Sequence, residues 1–526
     1  MTFRDKKVVV VGLARSGIGA ANLLSRLGAR VTVTDSQPRE KLEAGIQRLS
    51  LDIEIVVGGN PDEVFNGADI IVISPGVPCD SPFLGRARVR GIPVISELEL
   101  AYQAIRSKEE GSISVSSTMN KYEEPLCIGI TGTNGKSTTT TLVGLMLKES
   151  GYRTLLGGNI GSALTEELHT ALGNGHDIQV DHIVAEISSF QLEEIRDFRP
   201  NIAAILNITP DHLDRYNTME DYIAAKARIF ENQQGGDHLI LNADDPTVMN
   251  LFRASIEPAG SGMPDVFFFS RKKKVRGIYL HGGSLILSKN ESGEKLVESN
   301  EITIPGLHNL ENAMAASLMA LLAGCSVDAV KKVLRNFQGL EHRMEFAGEV
   351  NGVRFINDSK GTNTGAVAKS LEGFEDIILI MGGMDKGSDF TRLQKLIKKK
   401  VKLLVLIGEA QEKISKALGR STETICANSL EDAVKQCLSR ARPGDVVLLS
   451  PGCASFDMFQ DFEDRGRKFK EAMVYSSTAL MSMRKYDNGF HYLINHLFTV
   501  FVGIGAMFLL SRVDPCSFLF LSLFLA

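Results

Sequence analysis

A glycine-rich turn set between an apolar run and a helix-forming segment constrains this chain more than any other feature. Residues 128–141 read IGITGTNGKSTTTT, residues 126–130 are mostly apolar, and Leu142, Val143, Leu145, Met146 and Leu147 follow. The pattern predicts a strand, a turn and a helix. Glycine leaves the N–H groups of such a turn free to point into a cavity, and the helix start adds its positive dipole end, so polyphosphate can be cradled there. Gly132, Thr133, Asn134, Gly135, Lys136, Ser137 and Thr138 are the expected phosphate contacts. Lys136 would neutralise the terminal phosphates, and Ser137 would offer its hydroxyl to Mg²⁺. Ile130 stands where the usual pattern has glycine, so a strand-to-helix connection that binds nothing is the competing reading.

At 526 residues the chain is too long for one hydrophobic core, and about three domains are expected. A net charge of −5 argues against a polyanion-binding surface, and no nucleic-acid partner is expected. The runs Lys272, Lys273, Lys274 and Lys398, Lys399, Lys400 read as solvated turns or helix ends. Seven cysteines occur without a CxxC pair, which suggests reduced thiols and a cytoplasmic location. The charged start leads straight into a strand pattern, so no secretory leader is expected.

Residues 7–35 read as strand, turn, helix and strand. The turn Gly12, Leu13, Ala14, Arg15, Ser16, Gly17 is a variant of the dinucleotide fingerprint with Ala14 in place of the middle glycine, and Asp35 sits where a ribose-binding acid would. By itself this suits a nicotinamide oxidoreductase or a protein holding another nucleotide. The buried run at 70–73 ends in a Pro-Gly turn at Gly76, another strand end of the kind that binds ligands. Residues 106–124 are polar and read as a linker or insertion between a first domain (1–105) and a second (125–342).

In the second domain, GGNIG at 157–161, AEISSFQL at 185–192 and NITPDHLDRY at 207–216 each follow an apolar run. Glu186 is then a candidate Mg²⁺ acid, or simply a charge at a strand end. His212 is a candidate ligand, or a residue with only a local hydrogen bond. A helix is expected over 221–230, within which spacing alone makes Lys226 a solvated lysine. His308 and Asn309 open a later helix. From 343 to 472 strand and helix alternate again, which predicts a third parallel-sheet domain.

Taken in order, TGTNGKST, GGNIG, EISSFQLE, TPDHLDRY, YIAAKARIF, GLHNLENA, EHRME, NDSKGTN, GGMDKG and SPGCASFDMF resemble the Mur ligases of peptidoglycan synthesis over residues 5–472. The resemblance implies an α/β fold of three domains: a Rossmann-like N-terminal domain, a central P-loop ATPase domain and a C-terminal Rossmann-like domain. Within the family, the GLARSG opening, DHLDRY and the closing SPGCASFD with Phe462 are most similar to members that add D-glutamate to UDP-N-acetylmuramoyl-L-alanine. ATP and two Mg²⁺ ions are the implied cofactors, and the catalytic unit is expected to be monomeric.

Roles implied by the resemblance follow by position. Leu13, Ala14, Arg15, Ser16, Asp35, Ser36 and Gly76 would hold the UDP, while Asn159 and His212 would contact the muramoyl-peptide. Asn309, Arg343 and Asp358 would hold ATP. Thr362, Lys386, Ser455 and Phe462 would hold D-glutamate. Ser137, Glu186, His212 and a carbamylated Lys226 would bind the metals, which reverses the reading of Lys226 by spacing. The rivals are a family member using a different amino acid, an oxidoreductase, and a non-catalytic nucleotide-binding scaffold.

The ligase pattern ends at about Ala472. Residues 473–515 resemble a segment of the polytopic glycosyltransferases that polymerise peptidoglycan, and 493–510 are apolar enough to suggest a membrane contact. A fusion or gene-model junction is the expectation for this apolar tail.

Overall fold

Three sheets follow one another along the chain. The computed structural model describes residues 2–107, 124–159, 161–173, 179–212, 215–259, 262–288 and 293–485. The linker expected over 106–124 lies almost entirely outside them, as does the apolar stretch 493–510. Among the described residues no helix is long and apolar enough to cross a membrane, and the six described cysteines are unpaired.

The first sheet has five parallel strands in the order Glu54–Val57, Arg30–Asp35, Lys7–Val11, Ile70–Ile73, Val94–Ser96. Lys7–Val11 is central because its valines are buried on both faces. Strand order reverses between it and Ile70–Ile73. The Gly12 and Gly76 turns therefore open side by side at the crevice where such sheets bind ligands. Gly12 has φ 95°, and a Cβ on Gly17 would lie 1.8 Å from the Gly12 carbonyl oxygen.

The second sheet has nine strands. Leu126–Thr131, the strand before the glycine-rich turn, lies between Ile202–Ile205 and His182–Glu186, with Thr154–Gly158 outermost on that side. On the other side come His238–Asn242, Asp265–Ser270, Gly277–His281, Ser284–Ser288 and Gly293–Glu298. The alternation of strand and helix expected throughout this domain fails here. No helix separates the last four strands, and the last three pair antiparallel, each with its neighbour. Gly282 and Gly283, both at positive φ, supply the two-residue turn that reverses the chain.

The third sheet runs in the order Glu345–Val350, Val353–Asn357, Val446–Leu449, Ile377–Gly382, Val401–Ile407, Glu423–Cys426, and only its first strand is antiparallel. The helix Phe462–Lys485 packs behind it. The expected boundary at Ala472 falls inside this helix, and Met473 joins Phe469 and Ala472 in the core. The lysine runs lie in the turn after Asp265–Ser270 and in the last turn of the helix Gln394–Lys400, as their charge suggested.

Helix Arg15–Arg26 seats the first sheet on the second by packing against helix Leu164–Leu172. Gly19 permits this approach, since a Cβ there would lie 2.9 Å from the Glu166 nitrogen. The carboxylate of Glu99 accepts from the backbone N–H groups of Arg196, Asp197 and Phe198. Beside it Glu97 is fully buried and accepts from Gln191 Nε2 at 2.7 Å.

Candidate active site

The glycine-rich turn leaves the strand Leu126–Thr131 through Gly132 (φ 154°) and enters the helix Lys136–Glu149 through Gly135 (φ 87°). Gly135 also faces Asn312, whose Oδ1 would lie 2.2 Å from a Cβ, so both backbone and space require glycine. The neighbouring strand end braces the loop: Asn134 N donates to Asn207 Oδ1 at 2.8 Å, and Asn207 Nδ2 returns a bond to the Asn134 carbonyl at 2.9 Å. Lys136 folds back to donate to the carbonyls of Gly132 (2.8 Å) and Thr133 (3.0 Å). Burial lowers its pKa, with Glu186 opposing.

Glu186 ends the adjacent strand and is 1% exposed. Its Oε1 accepts from Asn159 Nδ2 at 2.9 Å, while Oε2 is buried without a hydrogen-bond partner. A buried carboxylate oxygen left open beside a phosphate loop suits a hard divalent cation. Lys226 is equally buried, donates to the Gly132 carbonyl at 3.1 Å, and lies 4.7 Å from the Tyr222 ring centre. Burial, helped by the charge of Lys136, drives its pKa well below the ordinary lysine value. The solvated reading of Lys226 is thus overturned, because the helix Met219–Ala227 lays Tyr222, Ala225 and Lys226 inward. Among the described residues no three His, Cys, Asp or Glu side chains cluster as a metal site. Glu186, the Ser137 hydroxyl and His212 are groups that could contribute to holding a cation beside the loop.

The third sheet closes over this loop. Arg343 donates to Ser137 Oγ at 2.9 Å, Asn363 Nδ2 donates to Asp211 Oδ2 at 3.0 Å, and Lys369 pairs with Glu311 at 3.5 Å. Asp358 accepts from the hydroxyls of Ser370 (2.6 Å) and Ser450 (2.8 Å), and burial pushes its pKa up to about 6. A cavity of about 310 Å³ results, lined by Thr133–Lys136, Thr138, Asn159, Glu186, His212, Lys226, Asn309, Arg343, Asp358 and Thr362. A wider one of about 970 Å³ adjoins it, lined by Gly76, Phe190, His212, Arg215 and Lys386 among others. His212 borders both.

Models of three protein families match in sequence: a MurD-like N-terminal domain at residues 6–96, a Mur ligase middle domain at 130–320, and a Mur ligase glutamate ligase domain at 342–453. The UDP-N-acetylmuramoylalanine–D-glutamate ligase of Geobacter metallireducens is 42% identical over 474 residues, covering 90% of this chain and 98% of that protein. The chain belongs to the Mur ligase family. The enzyme of the same description from Geotalea uraniireducens is 44% identical over 475 residues, covering 89% and 97%. In fold, this Mur ligase is similar to MurF ligase from Thermotoga maritima in complex with ADP (TM-score 0.55, 16% identity, 90% and 96% covered). It is likewise similar to UDP-N-acetylmuramate-alanine ligase MurC from that organism (TM-score 0.54, 20% identity, 89% and 99% covered).

The remaining expected residues of this Mur ligase divide by location. Leu13 N donates to Asp35 Oδ2 at 2.7 Å and Gln37 N to Asp35 Oδ1 at 2.8 Å, which shapes the first-sheet turn beside Ala14, Ser16 and Ser36. Arg15 reaches across to the Gly161 carbonyl of the second domain. Asn309 donates to the Pro305 carbonyl and accepts from Asn312. Among the four D-glutamate candidates, Thr362 lines the narrow cavity and exposed Lys386 the wide one. Ser455 is buried, and Phe462 stacks under the Lys360 ammonium, 3.7 Å from the ring centre. Ser455 and Phe462 line neither cavity.

Lys360 was missed as a site residue, yet it lines the narrow cavity. Burial, reinforced by Arg343, lowers its pKa to about 8. Arg465 was missed too. Fully buried, it donates to Ser359 Oγ and to the carbonyls of Ser359, Cys453 and Ala454, tying together the loops that carry Lys360 and Ser455. Its only sequence signal is an arginine three residues after Phe462 in a helix that otherwise reads as a surface.

Proposed function

We propose that this Mur ligase joins D-glutamate to UDP-N-acetylmuramoyl-L-alanine with hydrolysis of ATP to ADP and phosphate, in peptidoglycan precursor synthesis. The observation that carries the reading is His212 at the junction of two cavities, one walled by the phosphate loop and the other by the Gly76 turn. A nucleotide triphosphate and a nucleotide-linked carboxylate entering from opposite sides meet there. Sequence likeness to the D-glutamate ligases over nine-tenths of the chain supports the choice of amino acid.

The alanyl carboxylate attacks the γ-phosphorus, the bond to ADP breaks, and an acyl phosphate forms. The amine of D-glutamate then attacks the acyl carbon, loses a proton, and phosphate departs. Two anions must approach, so cations have to screen them. Lys136, Arg343 and Lys360 supply three beside the narrow cavity. Ser137 and Glu186 would hold one Mg²⁺ ion, His212 and a carbamylated Lys226 would hold a second, and the two would supply Lewis-acid polarisation of the phosphoryl oxygens. Carbamylation requires an uncharged amine, and the burial of Lys226 shifts its pKa in that direction. Asn309 and Asp358 are assigned to the ATP base and ribose, and Leu13, Ala14, Arg15, Ser16, Asp35 and Ser36 to the UDP. Thr362, Lys386, Ser455 and Phe462 are assigned to D-glutamate. A single chain supplies every group named here, and none comes from residues 486–526.

Phosphate release from ATP should require UDP-N-acetylmuramoyl-L-alanine, and sustained turnover should require D-glutamate as well. Equal turnover with L-glutamate or a diamino acid would overturn the substrate assignment.

A further inference from the structure

We infer that Arg215 is a positioning residue that couples occupancy of the nucleotide-sugar turn on the first sheet to the orientation of His212 on the second. Its guanidinium donates to the carbonyl of Pro75 at 2.6 Å and to that of Val77 at 3.2 Å, so it grips the turn on both sides of Gly76. The same group pairs with Glu193 at 2.7 Å, and Glu193 also accepts from the Tyr216 hydroxyl at 2.5 Å. It lies 4.1 Å from the centre of the Phe190 ring, and the His212 ring meets that phenyl edge-on at 4.8 Å.

The backbone makes the same connection. His212 is held at φ 55°, a region unfavourable for a residue with a Cβ. Its carbonyl accepts from the N–H groups of both Arg215 (3.0 Å) and Tyr216 (3.1 Å). The residue is therefore held from two directions: its main chain through the carbonyl by the arginine backbone, and its ring through Phe190 by the arginine side chain. With the guanidinium only 18% exposed and its carboxylate partner 10%, the contact is sheltered from solvent and salt. A planar fork can satisfy two carbonyls and a carboxylate while stacking on a ring; an ammonium cannot do all of these at once. On the ligase reading above, the Gly76 turn holds the uridine nucleotide and His212 faces the reacting groups. Arg215 thus joins the two ends of one substrate's path, and the sequence placed no role on it.

The test compares the full-length chain with Arg215→Ala and Arg215→Lys by steady-state phosphate release and by titration with UDP alone. The His212 ring resonance, assigned by its loss in His212→Gln, is followed by NMR. Coupling predicts that UDP shifts this resonance in the parent and leaves it unmoved in Arg215→Ala. It also predicts a kcat for Arg215→Ala at least about 30-fold lower with an unchanged KM for ATP, and partial recovery in Arg215→Lys. If the parent turns over and Arg215→Ala keeps kcat within twofold, or keeps the UDP-induced shift, the coupling is refuted and the ligase reading stands. If the parent releases no phosphate with its proposed substrates, the ligase reading fails, and the UDP-induced shift alone decides the coupling.

Discussion

The guanidinium of Arg343, from the third domain, donates to the hydroxyl of Ser137 in the phosphate loop of the second at 2.9 Å, with Thr138 at 3.4 Å on its other nitrogen. The cation reaches the phosphate loop only when the two domains are together, and in the proposed reaction it would stabilise charge on the transferring phosphoryl group. Arg343→Ala should lower kcat/KM for ATP by about 10²–10³-fold. Arg343→Lys should recover only a small part, since an ammonium cannot fork across Ser137 and Thr138. Steady-state phosphate release measures both, and near-parental rates in either variant would contradict the assignment.

Lys226→Ala removes the group proposed to become a metal-ligand carboxylate. Activity should drop by about 100-fold or more, with an unchanged far-ultraviolet spectrum, and formate or acetate should return part of it. A variant retaining most of its turnover would show that the buried amine has no part in the chemistry.

Lys386 is exposed on the rim of the wider cavity, away from the phosphate loop. Lys386→Ala should raise the KM for D-glutamate by about tenfold or more and that for ATP by less than threefold, because the proposed contact is to the amino acid alone. A defect confined to ATP would take this lysine out of the amino-acid site.

Arg465 uses its donors on two loops at once. Arg465→Met leaves the buried carbonyls of Ser359 and Cys453 unpaired, while Ala454 keeps its bond from Met384 N, and should destabilise the third domain by about 3 kcal/mol or more, read by urea denaturation. At temperatures where the variant stays folded, the KM for D-glutamate should rise, since Ser455 and Lys360 sit on the loops it holds. Unchanged stability would mean that the carbonyls find other donors.

Glu97 sits fully buried where the first sheet docks on the second, and desolvation pushes its pKa up to about 7, with the Gln191 hydrogen bond opposing. An unfolded glutamate titrates near about 4.3. Between those values the folded chain holds the extra proton, so this residue's contribution to stability falls as pH rises from about 4.3 to about 7 and is then constant. Glu97→Gln should remove that slope and raise Tm above pH 7 by about 4 °C or more. Parallel Tm-against-pH curves for parent and variant would refute the assignment.

What was legible in the sequence was local. The run before Gly132, the two positive-φ glycines and the helical spacing after Lys136 are properties of a short segment, and strand, turn and helix formed where they were expected. The Gly12 and Gly76 turns were legible for the same reason, as apolar runs ending in breakers. The hairpin at Gly282 and Gly283 was not anticipated, because the runs Gly277–His281 and Ser284–Ser288 read identically whether their neighbours are parallel or antiparallel. Lys226 shows the limit most clearly. Spacing alone made it a solvated lysine, as a charge on a helix usually is, and only the approach of the phosphate loop decides otherwise. Arg215, Lys360 and Arg465 act across loops far apart in sequence, so no window of residues could reveal them.

The narrow cavity has walls from two sheets that meet, on its own rim, through a few polar contacts: Arg343 with Ser137, Asn363 with Asp211, and Lys369 with Glu311. Each sheet keeps its own apolar core on its own side of that seam. Warming can therefore part the walls before any core melts. Catalysis should fade at a temperature below the loss of helical signal and return on cooling, so that heat first switches the enzyme off and only later ruins it.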